Sequence, residues 1–307
     1  ARRPGTTFVS EVADSDNKTR LIPFEFSTTQ TYMLEFSNLK IRFYKNNGII
    51  LESNKTITAI TKASPGVITS NSHGYSNGDE VYISGIVGMT ELNGKTFLVV
   101  KIDANTFSLT DKDGVAINTT NYTTYSSGGI ANRVYEIATP YTTAELFDIK
   151  FAQSADVMYI THPSHEVEKL SRTGHTAWTL TNVDFGNGPF MDHNVETTTA
   201  NPSHKTVGST TTVTFSAVTG INNGAGFLST DVGRLVHIKD GHFKITSITS
   251  TTIVVGTVII DLGISSSTTT DFALGSFSNT SGFPSCVTFF EQRLVFAGTI
   301  AQPQTIF

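Results

Sequence analysis

Ile22-Pro23-Phe24-Glu25-Phe26, a polar turn, Thr31-Tyr32-Met33-Leu34-Glu35-Phe36 and then Lys40-Ile41-Arg42-Phe43-Tyr44 decide the fold class. Two-residue alternation puts the Phe, Tyr and Leu side chains on one face of a pleated sheet. The same order returns twice: a strand ending in Phe, a short turn, an alternating strand, a loop and a further strand. The second copy reads Ile149-Lys150-Phe151, then Val157-Met158-Tyr159-Ile160, then residues 168–172. The third reads Val287-Thr288-Phe289, then Leu294-Val295-Phe296, then residues 303–307. Antiparallel strands in series form a meander, and repeated meanders are how propeller blades are written in sequence.

The spacing of the three copies exceeds a blade of about 40–50 residues. Two inserted modules account for the excess. The first, centred on residues 56–129, strings short apolar segments between turn signals: Ile57 to Ile60, Gly66-Val67-Ile68, Glu80-Val81-Tyr82-Ile83, Phe97 and Thr106-Phe107-Ser108-Leu109, with Asn77-Gly78 and Asn93-Gly94 as turns. The second, centred on residues 204–277, contains Val213-Thr214-Phe215, residues 232–238, Phe243-Lys244-Ile245 and residues 252–255, between Thr/Ser-rich linkers. Both read as small β-barrels or β-sandwiches. The expected plan is all-β: a partial propeller-like core with two inserted modules. Residues 1–55 form the first part of the core, 56–130 the first module, 131–200 the second part of the core, 201–280 the second module and 281–307 the third part of the core. Segments 24–44, 134–185 and 286–307 are expected in one propeller-like domain with the modules outside it.

Composition agrees. Of 307 residues only 15% are charged, while 21 Phe and 9 Tyr accompany abundant Thr, Ser, Asn and Gly. That mixture suits sheets closed by tight turns and contains few helix-forming stretches. The net charge is −5 and there is no basic tract of the kind a nucleic-acid groove needs; Arg2-Arg3 is the only tight basic pair. Cys286 is the single cysteine, which excludes an intrachain disulfide and a multi-cysteine zinc site. No apolar run reaches the roughly 18–20 residues needed to cross a bilayer, and no secretory signal opens the chain. Both ends read as cut from something longer.

Several arrangements raise chemistry and are set aside. His162 and His165 have a metal-like spacing, but Pro163 places them in a loop between strands. Asp192-His193 and Ser203-His204 supply triad residue types without a nucleophile elbow. Glu166 and Glu168 share a strand face, as paired carboxylates or as a solvated edge would. Asp111-Lys112-Asp113-Gly114 lacks the later Glu of a calcium loop and reads as a hairpin turn. The Gly220–Gly226 stretch lies between strands rather than before a helix, which argues against a phosphate cradle. Trp178, the only tryptophan, reads as core rather than sugar platform. No catalytic residue, cofactor or metal ligand is assigned.

Arg2-Arg3-Pro4-Gly5-Thr6, Arg20 to Phe24, Leu34-Glu35-Phe36 and Ile41 to Tyr44 together resemble the opening of a short-tailed bacteriophage (podovirus) tail nozzle, or tail tubular, or phage stabilisation protein. Asp156 to Pro163, Leu170-Ser171-Arg172 and Trp178-Thr179-Leu180 are similar to that family as well, and Phe283-Pro284, Phe289 to Leu294 and Gln302-Pro303-Gln304 resemble a later blade. The first module, with His73-Gly74, Gly78-Asp79, Val81 and Tyr82, resembles the FCCH domain, a label that derives from a ubiquitin-activating enzyme; it carries no cysteine, since Cys286 lies outside it. The resemblance implies a virion structural protein of the phage tail and not an enzyme. It implies a homo-oligomer of six copies below the portal and adaptor rings, near the tail fibres, whose channel lets double-stranded DNA pass during ejection. A mildly acidic wall fits that role, because DNA would slide past it without being held, and Lys and Arg clusters should be absent from the channel face. The alternative is a receptor- or carbohydrate-binding tail protein, although Tyr75, Tyr82, Phe97 and Phe107 alternate like core residues. A depolymerase would need a long parallel β-helix, and no such short repeat is present. An unfinished blade at Phe307 should leave the isolated chain poorly stable or prone to associate, its edge being covered in the full protein by missing sequence or a neighbouring copy, while the modules should fold alone.

Overall fold

β1 (Arg20–Ser27), β2 (Gln30–Ser37), β3 (Lys40–Lys45) and β4 (Gly48–Ile49) run as an antiparallel meander in the computed structural model, which describes Gly5 and residues 8–27 and 30–307. The Arg2-Arg3 pair and Thr28-Thr29 of the first turn lie outside the described residues. Phe24 faces Tyr32, and Leu34 faces Phe43, across the ladders. Asn46 and Asn47 both take positive φ, the geometry of a two-residue hairpin whose twist matches its strands. One face of this sheet buries Ile22, Phe24, Tyr32, Leu34, Phe36, Ile41 and Phe43 among its apolar residues, yet Glu35 and Arg42 are buried too. So both faces are covered, and the simple in–out reading of β2 does not hold.

The first module follows: β5 (Lys55–Thr56), β6 (Ala59–Ile60), β7 (Val67–Thr69), β8 (Glu80–Val87), β9 (Lys95–Lys101), β10 (Thr106–Thr110) and β11 (Ser127–Arg133). The sheet order is β5-β11-β8-β9-β10-β7-β6. Its two outermost strands are consecutive in the chain. Between them the Ile57 N–H donates to Gly129 O at 2.9 Å and the Thr58 N–H donates to Thr69 O at 2.9 Å. The sheet therefore curls until residues 55–60 bond to both of its ends, which removes the free edges an open sheet would carry. Ile57, Ile68, Tyr75, Val81, Ile83, Phe97, Val99, Phe107 and Leu109 are among its core residues. The chain then returns as β12 (Glu136–Ala138), which pairs with β3.

A second meander comprises β13 (Lys150–Ser154), β14 (Val157–His162), β15 (His165–Gly174) and β16 (Ala177–Asn182), in that order. The second module comprises β17 (Ala200–Pro202), β18 (Thr210–Phe215), β19 (Leu235–Ile238), β20 (Gly241–Ser250), β21 (Ile253–Ile260) and β22 (Phe272–Leu274), ordered β17-β18-β21-β20-β19-β22. It closes like the first: Ala200 and Thr269 exchange both backbone hydrogen bonds, at 2.8 and 3.0 Å, just before β22 begins. The third meander holds β23 (Cys286–Phe290) and β24 (Arg293–Ala297), joined by Glu291 and Gln292, both at positive φ. Residues 305–307 lie back along β24, where Phe296 and Phe307 exchange hydrogen bonds of 3.1 and 2.7 Å.

The two modules share one circular strand order. Counting each from its closing segment, both run first-second-fifth-fourth-third-sixth and back to first, all antiparallel. Registers correspond as well. Val81 faces Phe97 and Val236 faces Phe243. The Gly78 N–H donates to Val99 O at 2.9 Å, and the Gly233 N–H donates to Ile245 O at 2.9 Å. Both glycines take positive φ, 85° and 91°, a conformation an L side chain resists, so glycine is required by the backbone at the matched position. By the same register Glu80 corresponds to Leu235 and Tyr82 to His237.

The chain is all-β; among the described residues helix is limited to three-residue 3-10 turns, and no helix is long and apolar enough to cross a membrane. It divides into two compact units. One comprises the described residues up to Leu146 with Arg172–Trp178, and the other Phe147–Ser171 with Thr179–Phe307. The second repeat is thus split: its hairpin tip belongs with the first meander, and the remainder shares a unit with the third.

Candidate functional site

The hairpin tip brings Trp178 into the first unit. Its ring lies 4.8 Å from Phe24, 5.2 Å from Tyr32 and 4.5 Å from Phe43, and its indole N–H donates to His175 O at 3.1 Å. Buried and satisfied, Trp178 is core, as its sequence context suggests.

On the other face of the same sheet, charge is buried. Arg42 meets Glu80 of β8 at 2.8 Å and Glu136 of β12 at 3.0 Å; Lys112 meets Glu80 at 3.5 Å and Glu11 at 3.8 Å. Burial works against the Arg42 charge, but Glu80, then Glu136 and Glu35, outweigh it and raise its pKa. Burial, followed by the hydrogen bond to Glu35, pushes the Tyr44 phenol far above its usual range. This network locks the first module to the first sheet. Sequence reading missed it, because Arg42, Glu80 and Glu136 each look like ordinary surface charge in a strand.

The third meander is the least covered. Its β23 leaves Phe290 64% exposed, and Ile300 and Ile306 are 70% and 74% exposed. On its other side Phe296 lies 5.4 Å from Phe185 and Phe307 lies 5.0 Å from Phe277, while Phe289, 6.1 Å from Tyr159, stays 39% exposed. An apolar strand pair with one uncovered side is a surface suited to association.

His162 and His165 face each other across the tight β14–β15 hairpin, and the Ser164 N–H donates to His162 Nδ1 at 3.1 Å, which occupies that nitrogen. His193 pairs with Asp271 at 2.8 Å, whereas Ser203 pairs with His204 at 3.0 Å, so the triad types divide into two unrelated pairs. Glu166 is exposed and accepts from Asn182, while Glu168 is buried. A groove of about 280 Å³ runs beside Glu166, Asn182, Phe185 and Lys244. Asp111 closes a hairpin turn, accepting from the Val115 N–H at 2.8 Å and the Gly114 N–H at 3.2 Å. The Gly220–Gly226 loop is fastened from beneath. The Arg234 guanidinium donates to Asn222 Oδ1 at 2.7 Å, Asp231 at 2.9 Å and Gly275 O at 2.7 Å. Burial lowers the pKa of Arg234, and Asp231 offsets this in part. Donors spent on the protein leave little for a phosphate. Cys286 is exposed and lies outside both modules.

Residues 63–135 match the family model of the ubiquitin-activating enzyme E1 FCCH domain. Ubiquitin-like modifier-activating enzyme 1 of Oryctolagus cuniculus is 38% identical over 82 residues, and that of Homo sapiens 37% over 82 residues. Each alignment covers 25% of this chain and 7% of the relative, so the chain spans a small fraction of those enzymes. Among solved structures, the phage phi92 endosialidase aligns over 92% of this chain and 53% of its own, with 12% identity and a TM-score of 0.20; at that score it carries no argument about fold or activity. What the comparisons show is an FCCH-like module at residues 63–135.

Proposed function

We propose that this protein is a structural, non-enzymatic component of a bacteriophage tail, of the nozzle kind, acting as a conduit for genome ejection below the portal and adaptor rings. The exposed apolar residues of the third meander and of the segment after it carry the reading: Phe290, Ile300 and Ile306 are open to a partner, which a homo-oligomeric ring would supply. Six copies would place equivalent meanders around an axis, with the modules projecting towards neighbours or tail fibres. Lys40, Lys112 and Arg133 are held in ion pairs within the first unit, which suits a wall that DNA slides past.

Two measurements test this. Sedimentation of the purified chain should show reversible association that Phe290→Asp and Ile300→Asp abolish; a monomer at all concentrations removes the assembly argument. Antibody labelling of the virion should mark the tail axis beneath the head. Label on the fibres would favour the receptor- or carbohydrate-binding alternative, and absence of label from virions would overturn the reading.

A further inference from the structure

On the outer wall of the second module, His193, His237 and Asp271 converge. One nitrogen from each ring and one carboxylate oxygen lie within 4.8 Å of one another. The scaffold explains why residues so distant in sequence meet. Residues 190–194 lie along β22, with the Met191 N–H donating to Leu274 O at 2.8 Å and the Asn194 N–H to Phe272 O at 2.8 Å. That places His193 beside Asp271, whose own N–H donates to Thr269 Oγ1 at 3.1 Å. β19 pairs with β22 on the other side, His237 opposite Ala273. The His237 ring is held by Phe190 at 5.3 Å and His193 at 5.3 Å. Its Nδ1 is shielded from solvent and has no hydrogen-bond partner among the described residues.

The fold does not need these groups. At the matched register the first module has Tyr82 where His237 stands and Ile130 where Asp271 stands, and it closes its sheet in the same way. A shielded imidazole nitrogen without a partner, beside a second imidazole and a carboxylate, is a costly arrangement unless something binds it.

We propose that His193, His237 and Asp271 form a binding site for a divalent transition-metal ion of the zinc class. Two imidazoles and one carboxylate suit zinc, cobalt or nickel rather than magnesium or calcium, which prefer oxygen ligands. Tetrahedral ligand atoms at about 2.0–2.1 Å from zinc lie roughly 3.3 Å apart. His193 Nδ1 and Asp271 Oδ1 lie 2.8 Å apart and their side chains are 57% and 49% exposed, so a small side-chain rotation spaces them for an ion. Three protein ligands leave one position open to water or to a group from another molecule. The proposal is independent of the tail assignment, since it rests on the second module and the segment at residues 190–194 that runs along it.

The experiment uses the whole chain, stripped with chelator, then titrated with Zn²⁺ by calorimetry and with Co²⁺ by visible absorption. One equivalent should bind, with tetrahedral or five-coordinate Co²⁺ bands, and Mg²⁺ at the same concentration should not compete. His237→Gln and Asp271→Asn should each weaken Zn²⁺ at least tenfold while circular dichroism stays unchanged; because His193 and Asp271 are exposed, His193→Ala is a further variant that leaves the core intact. His165→Ala should bind as the unmodified chain does. Absence of stoichiometric binding, or binding that survives all three site variants and is lost in His165→Ala, overturns the proposal.

Discussion

Replacing Glu80 by Leu should destabilise the first unit by about 3 kcal/mol, the lower end of the roughly 3–5 kcal/mol seen when one partner of a buried ion pair is removed. The lower end applies because Arg42 keeps Glu136 at 3.0 Å, while Lys112 keeps Glu11 at 3.8 Å. The second module shows that Leu fits the matched position, since Leu235 stands there. The damage from Glu80→Leu alone therefore comes from the cation left behind and not from shape. Arg42→Met alone should cost a similar amount, by stranding Glu80 with only Lys112 at 3.5 Å. The double variant should recover most of the loss, because apolar replacement of a whole buried pair is often neutral or stabilising. Trp178 is the single tryptophan and sits in the core of this unit, so its fluorescence reports the first unit during thermal unfolding. At about 2–4 °C per kcal/mol for a unit of this size, each single variant should lower the midpoint by roughly 6–12 °C. Single variants within 2 °C of the native chain, or a double variant that sums the two losses, would refute the reasoning.

Two further outcomes follow from the shared module topology. Gly78→Ala and Gly233→Ala should each destabilise their own module by about 1–2 kcal/mol, since both positions have open space for a Cβ and only the positive φ opposes it; hydrogen exchange of the β9 and β20 amides measures this, and unequal effects would break the proposed equivalence. Residues 55–135 expressed alone should melt cooperatively as a monomer, because the sheet closes on itself around its own core; a chain without a thermal transition would show that the buried pairing with Arg42 is needed for folding.

Local alternation was enough to place β1, β2 and β3, their counterparts β13, β14 and β15, and β23 and β24, because Phe, Tyr and Leu at every second position is a signal written in neighbouring residues. The turn glycines and asparagines likewise marked the modules. Two things were not legible. Alternation alone would turn Glu35 and Arg42 to solvent, but Glu80 of the first module covers Arg42, and Ala13 and Tyr44 hold Glu35. The histidine–aspartate cluster was also missed, with Asp192 the apparent partner of His193. The true neighbour, Asp271, is separated by the whole second module, and nothing local announces that β22 and residues 190–194 lie side by side.

The two modules use equivalent positions for opposite ends. At the start of the third strand of each barrel, the first module carries Glu80 and turns it inward to Arg42, so that position fixes the module to its meander. The second carries Leu235 there, and Arg234 one residue earlier binds Asp231, Asn222 and Gly275 within the module itself, holding its own loop. Two residues after Leu235, on the same face of the strand, stands His237, where the first module has Tyr82. A closed sheet tolerates this exchange because its backbone hydrogen bonds, matched at Gly78 and Gly233, do not depend on which side chains face out. One framework thus supports a module locked by buried charge and another whose outer wall gathers imidazoles and a carboxylate.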